Sequence, residues 1–411
     1  MELETDTMGA TERVETLLNH EEPDRIPIYL MGIPPYSLTY KQLFEEYEDE
    51  FDEWTEDDNN LLLTPLGDYT IRYYLGSEVE TKGIGISPDF SAQLAIKTAQ
   101  GYELADSENH PSIIEVRNAQ KEGETYYTVD YHGTIRGHTI LPSGDPYSWY
   151  VDGFLKKKED LIAWYDEYGW PHEQPISKFD VQAYEQFKRE FGDKIYMIPQ
   201  LGSCQLYESS WVSMGQARWA YYCRKVPDFI HRLVESKMQA QLNVIEELAK
   251  NQPTIIFGGD DMGQKGRPMM SPAMFRKFFF EPFSQVFQKV HDLGAKVFIH
   301  SCGNIVELLP ALTEAGLDGW QSLEVPSLID HAAVKKKYGD DFLLVGGIDS
   351  SDILCFGSKN DIKQHVHDQI LAMGKGGGYI AGPAHDYLNV PLKNALTMRD
   401  AIHEFGKYPL S

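Results

Sequence analysis

Cysteine is scarce in this 411-residue chain: Cys204, Cys223, Cys302 and Cys355 are all there is, with no CxxC pair among them. Four scattered thiols argue against a disulfide framework, which small secreted folds need and a chain of this size does not. Long apolar runs are missing as well. None approaches the roughly 18 residues that a spanning helix requires. The acidic opening MELETDTMGATERVE has neither the basic block nor the apolar block of a signal peptide. A cytoplasmic protein is therefore expected. Positive charge is also short: 37 Lys and Arg stand against 63 Asp and Glu, for a formal net charge of -26. Such a field opposes a phosphate backbone, an anionic bilayer and a highly anionic substrate alike, so neither nucleic acid nor membrane is an expected partner.

What is present fits a globular enzyme-sized fold. Hydrophobic residues make up 42% and charged residues 24% of the chain, enough to bury one large core with an insertion or two ordinary ones. From about residue 190 onward, short apolar runs alternate with amphipathic stretches, the pattern of a parallel sheet with crossover helices. The strands expected are 195–200, 254–259, 296–301, 318–323, 342–347 and 378–382. Ser271-Pro272 reads as an N-cap followed by proline at the first helical position, with Gly294 as the stop. Two earlier segments, RIPIYLM (25–31) and YTIRYYLG (69–76), raise the count to eight. The expectation is one α/β domain over residues 1–411, a (β/α)8 TIM-type barrel. Residues 84–150 alternate differently, in SIIEVRN, TYYTVDYHG and HTILPSG, and predict an antiparallel β insertion in the first half that caps the barrel mouth.

In such barrels the C-terminal strand ends carry the chemistry. Polar residues stand at those ends: Asp260 and Asp261, His300 and Cys302, Glu324, Asp349, His385 and Asp386. His300 and Cys302, two apart in an extended segment, share a side, so imidazole and thiolate can reach one ion. Glu324 ends the next strand and His385 the last; the four together suit zinc. Read without a metal, the pair is a hydrogen-bonded histidine beside a buried thiol. Asp260 and Asp261 are candidates for general acid catalysis or, equally, caps for the following turn. Tyr207 and Glu208, after strand 195–200, are candidate substrate-binding residues or the start of a helix. Cys204, Cys223 and Cys355 read as ordinary thiols.

HSCGNI, LLPALTEAGLDGWQSLE, FLLVGGID and GGGYIAGPAHDYLNVPLKNA, with GGDDMGQKGRPMMSPAMFRKFFFEPF, resemble the uroporphyrinogen decarboxylase superfamily, and within it the cobalamin-dependent methyltransferase branch. The resemblance runs from DRIPIYLMG to the C-terminus and is densest over residues 254–406. It implies the distorted barrel of that superfamily, zinc on the pair matched by His300 and Cys302, and a corrinoid carried by a separate partner protein. The branch places a cysteine in the last strand's loop, where AGPAHDYL has none and His385 lies within a residue of its place; a related zinc barrel takes a glutamate near Glu324. True decarboxylases of the superfamily carry paired arginines after the first strand, whereas YLMGIPPYSL has no arginine. The function expected is methyl transfer to the corrinoid cobalt from a methoxylated substrate, aromatic ones among the candidates. The alternatives are methylation of a thiol from methylcobalamin and a metal-free decarboxylase; homo-oligomerisation stays open.

Overall fold

The computed structural model describes residues 6–31, 33, 37–46, 71–106, 110–142, 146–192, 194–202, 205–340, 342–386 and 388–410. Cys204 and all of 47–70 lie outside the described residues.

Seven parallel strands form one curved sheet. They are β1 (Val79–Ile84), β7 (Tyr196–Leu201), β8 (Ile255–Gly259), β11 (Lys296–His300), β12 (Gly319–Ser322), β13 (Leu343–Ile348) and β14 (Tyr379–Pro383), paired in that order. Between β1 and β7 lie five antiparallel strands: β2 (Gln93–Thr98), β3 (Gly101–Leu104), β4 (Thr125–Val129), β5 (Thr134–Ile140) and β6 (Pro146–Gly153). A two-residue hairpin, β9 (Gly263–Gln264) with β10 (Arg267–Pro268), follows β8.

The eighth barrel position is held by a stretch too short to be a full strand. Ile28 bridges Ala381 of β14, and Tyr29 bridges Val79 of β1, both in parallel. Tyr29 N donates to Ala381 O at 2.9 Å, Ala381 N donates to Pro27 O at 3.0 Å, and Val79 N donates to Ile28 O at 3.1 Å. The segment thus joins the two edges of the sheet and closes the ring. Backbones meet so closely there that a Cβ on Gly382 would lie 1.9 Å from Tyr29 O.

Inside the ring, Tyr29, Val79, Ile198, Phe257, Phe298, Val345 and Ile380 pack together with Val14 and Leu17 of the helix Ala10–Leu18. Arg13 and Arg25, 1% and 2% exposed, share the carboxylates of Glu78 and Asp6, and Arg13 also pairs with Asp24. Buried guanidinium groups need such partners, since an unpaired buried charge is strongly destabilising.

Three expectations are corrected. Residues 71–74 of the segment expected as the second strand are helical, and the strand itself is Val79–Ile84. Its alternation is hidden because the buried Glu80 is satisfied by Arg72 and Ser77, at 2.9 and 2.6 Å. SIIEVRN is no strand: Ile113–Ala119 is a helix whose Ser112 and Glu115 cap each other reciprocally, a capping box that outweighs the β-branched composition. The helix opened by Ser271, whose hydroxyl accepts from Met274 N at 3.2 Å, breaks at Phe279 into Pro272–Phe278 and Phe280–His291. Pro282 explains the break, because a proline ring clashes with the carbonyl four residues back.

The antiparallel sheet, ordered β3-β2-β4-β5-β6, docks on the segment after β7. Leu155 N donates to Ser213 O at 2.9 Å, and the Tyr150 and Trp211 rings meet edge-on at 5.3 Å. Aromatic side chains around this sheet pack on one another: Phe90 meets Trp164 at 5.3 Å and Tyr168 at 5.0 Å.

Candidate active site

His300 is the last residue of β11, in register with Gly259 of β8 and Gln321 of β12. Its ring is enclosed, 13% exposed. Nδ1 meets Gln321 Oε1. The Gln321 amide is oriented by its own Nε2, which donates to Ala384 O at 3.3 Å, so Oε1 must face the imidazole and accept from Nδ1–H. That arrangement leaves Nε2 aimed at Cys302 Sγ, 3.2 Å away, and at Asp261 Oδ1, also 3.2 Å. A histidine fixed at one ring nitrogen, with the other turned toward a thiol and a carboxylate, is arranged as metal ligands usually are.

Asp261 is anchored from below as well, its Oδ1 accepting from Cys302 N at 2.8 Å. Burial pushes this carboxyl up, but the His300 bond and charge and the Cys302 amide together outweigh burial and hold it at about 2. For His300, burial disfavours the charged ring, yet Asp261 more than offsets it and raises the pKa. The Cys302 thiol is raised, first by burial and then by the negative charge of Asp261 and Glu324. A cation at this spot would act in the opposite sense and lower that thiol's pKa.

Glu324 reaches the same place by a strained route. Ser322 and Leu323 take φ values of +127° and +56° at the end of β12, a region that non-glycine residues enter at a cost of about 1–3 kcal/mol each. The kink delivers the carboxylate to Gly303 N and Ser327 Oγ, both 2.8 Å from Oε2. His385, after β14, pairs with Asp386. This hydrogen bond raises its pKa to about 9 against the opposing effect of burial, and its ring lies 6.3 Å from that of His300.

The donors fall into two overlapping groups whose ligand atoms lie within 4.8 Å of one another: Asp261, His300 and Cys302, and Cys302, Glu324 and His385. Cys302 belongs to both. The four residues expected as ligands therefore stand at one mouth, with Asp261 beside them.

The backbone carrying Cys302 is locked to the loop after β8. Gly263 and Gly303 face each other so tightly that a Cβ on Gly303, where φ is +73°, would lie 2.3 Å from Gly263 C. Asn304 N donates to Gln264 O at 3.0 Å across the same contact.

The remaining candidates separate. Asp260 is 2% exposed, its Oδ2 accepting from Tyr207 N and its Oδ1 from Glu208 N, both at 2.7 Å. Burial, opposed by those two amides, pushes it up to about 8. The Tyr207 ring turns into the core, edge-on to Trp219 and Phe279 at 5.3 and 5.7 Å. Glu208 opens the short helix Glu208–Trp211. Its carboxyl is raised by burial and by Asp261, with Arg136 and His300 acting in the opposite sense. Cys223 is buried and pushed up to about 12, and Cys355 donates to Ser350 O at 3.3 Å. Two residues escaped the sequence reading: Gln321, whose signal was a polar side chain inside an apolar strand, and Asp261 as a neighbour of the sulfur.

Residues 172–405, more than half of the chain, match the sequence model of the family described as uroporphyrinogen decarboxylase (URO-D). The chain belongs to that family. Among solved structures it is similar to a methyltransferase from Methanosarcina mazei, with a TM-score of 0.60 and 15% identity over 97% of this chain and 99% of that one. At that identity the likeness is one of fold. A D-psicose 3-epimerase from Clostridium cellulolyticum H10 matches at a TM-score of 0.35 and 10% identity, over 55% of this chain and 82% of that one, a likeness too slight to carry argument. No curated protein matches the chain in sequence. The URO-D match includes β7 to β14, and so every donor described above.

Proposed function

We propose that this URO-D family protein is a zinc-dependent methyltransferase. It takes a methyl group from a methoxylated, aromatic substrate and passes it to the cobalt of a corrinoid held by a separate partner protein. The observation that carries this reading is the convergence of two imidazoles, one thiol and two carboxylates on the C-terminal mouth of the barrel, a donor set of the borderline kind that zinc accepts. His300, Cys302, Glu324 and His385 would hold the ion, with Asp261 beside them. Bound there, zinc supplies Lewis acidity toward the ether oxygen that leaves when its methyl group is taken.

The chain's own residues do the rest. Gln321 keeps the proton of His300 on Nδ1 and leaves Nε2 as a donor. Asp261 fixes the Cys302 amide. Glu208 presents a carboxyl to the substrate from the β7 side. The antiparallel sheet, through Tyr150 against Trp211, walls the mouth where an aromatic guest would enter. Decarboxylation of an octa-anionic tetrapyrrole suits the chain poorly, given a net charge of -26 and no arginine in residues 29–38.

The test is metal stoichiometry of the purified chain beside His300→Ala, Cys302→Ala, Glu324→Ala and His385→Ala, with demethylation of methoxylated aromatic compounds assayed in the presence of a corrinoid protein. Near-stoichiometric zinc, lost on His300→Ala or Cys302→Ala, and demethylation are the expected results. A chain that retains no metal, or one that only methylates thiols, would overturn the reading.

A further inference from the structure

We infer that Asp260 is a positioning residue, whose carboxylate fixes the place of Glu208 and so makes Glu208 the carboxylate that meets the substrate. The inference rests on the functional reading above, and it reassigns Asp260 from the role of general acid that its position at a strand end suggested.

Three geometric facts support it. Asp260 is 2% exposed, and each of its oxygens already accepts an amide at 2.7 Å, one from Tyr207 and one from Glu208. Buried and bonded at both oxygens, this carboxylate is not presented to solvent. Those two amides are the first at the entry to a four-residue helix, Glu208–Trp211, and would otherwise lack an intrahelical partner. The clamp therefore ties the segment after β7 to the end of β8.

The other carboxylates of the mouth are occupied. Asp261 accepts from Cys302 N and pairs with His300; Glu324 accepts from Gly303 N and Ser327 Oγ; Asp349 accepts from Ser351 N and Asp352 N, and Asp386 pairs with His385. Among the described residues, none donates a hydrogen bond to the side chain of Glu208. Its carboxyl is buried and feels the charges of Asp261, of Arg136 from the antiparallel sheet and of His300. By elimination Glu208 is the carboxylate free to receive a polar group of a ligand, and Asp260 is what holds it there. The same clamp fixes Trp211, one turn along, against Tyr150. Asparagine cannot substitute, because its NH2 would face one of the two amides.

The experiment uses the zinc-loaded full chain in four forms: wild type, Asp260→Asn, Glu208→Gln and the double variant. Amide hydrogen exchange followed by mass spectrometry reads the clamp without any substrate, and calorimetric titration with a methoxybenzoate reads the site. Asp260→Asn is expected to speed exchange at least tenfold over residues 205–211 while leaving the strands unchanged. It is expected to weaken methoxybenzoate binding about as much as Glu208→Gln does, with no further loss in the double variant, since residues acting through one another are non-additive. Unchanged exchange over 205–211 overturns the inference, as do losses that multiply in the double variant. If no methoxybenzoate binds even the wild type, the substrate reading falls and the exchange result alone decides the clamp. Asp260→Ala is the second variant: local opening over 205–211 with a folded barrel supports the positioning role, and protection equal to the wild type refutes it.

Discussion

Replacing Gly382 with alanine should open the barrel at its seam. The added methyl would sit 1.9 Å from Tyr29 O and 3.0 Å from Tyr29 C, and both are backbone atoms that cannot rotate away. Relief requires residues 27–29 to move off β14. That movement sacrifices the hydrogen bonds of Tyr29 N to Ala381 O and of Ala381 N to Pro27 O, each worth about 1 kcal/mol net. Overpacking adds about 1–3 kcal/mol, so the expected loss is roughly 3–5 kcal/mol. At an unfolding entropy of about 2.1 cal/mol/K per residue, the 411 residues convert this loss to a fall in melting temperature of roughly 3–6 °C. Gly83→Ala is the control, because a Cβ there meets nothing within 4 Å and should shift the midpoint by no more than about 1 °C, as inert surface changes do. Thermal unfolding followed by circular dichroism compares the two. If Gly382→Ala melts with Gly83→Ala, the segment 25–31 does not close the ring as argued.

Glu78→Ala leaves Arg13 and Arg25 in the same buried cluster without their shared carboxylate; a loss of about 3–5 kcal/mol is expected in urea titration, and a loss under 1 kcal/mol would contradict the role given to that cluster. His300→Ala and Cys302→Ala should each weaken zinc binding at least tenfold in chelator competition, whereas Cys355→Ala should leave it unchanged; equal affinity in all three would remove Cys302 from the site. His403 is buried and held at about 3, first by burial and then by Arg25 and Arg399. The folded chain therefore binds fewer protons there than the unfolded one, and stability should fall as pH drops from about 6.5 toward 3, by up to about 1.4 kcal/mol per pH unit. His403→Gln should flatten that limb of the stability profile, and an unaltered limb would show that other groups dominate it.

The second half of the barrel was legible because parallel strands covered on both faces are short, mainly apolar runs set between amphipathic helices. All six strands expected after residue 190 lie within a residue or two of their places. The first half was not, for reasons that are local and nameable. Val79–Ile84 carries Glu80 and Lys82, and only the folded chain reveals the Arg72 and Ser77 that satisfy the glutamate. Closure of the ring rests on Ile28 and Tyr29, too few residues to register as a periodicity. In the site, spacing alone places His300 beside Cys302, since both lie on one segment. Gln321 and Asp261 come from neighbouring strands, and their contact with that pair depends on register, which a single sequence does not display. Asp260 and Asp261 look alike as letters; an alternating backbone sends one to the amides of the β7 loop and the other to the imidazole.

The backbone contact between Gly263 and Gly303 has a bearing on how this mouth can diversify. With no space for a side chain on either partner, the hairpin β9–β10 and the cysteine-bearing turn behave as one rigid piece supplied by two strands. A lengthened or reshaped hairpin would drag the sulfur with it.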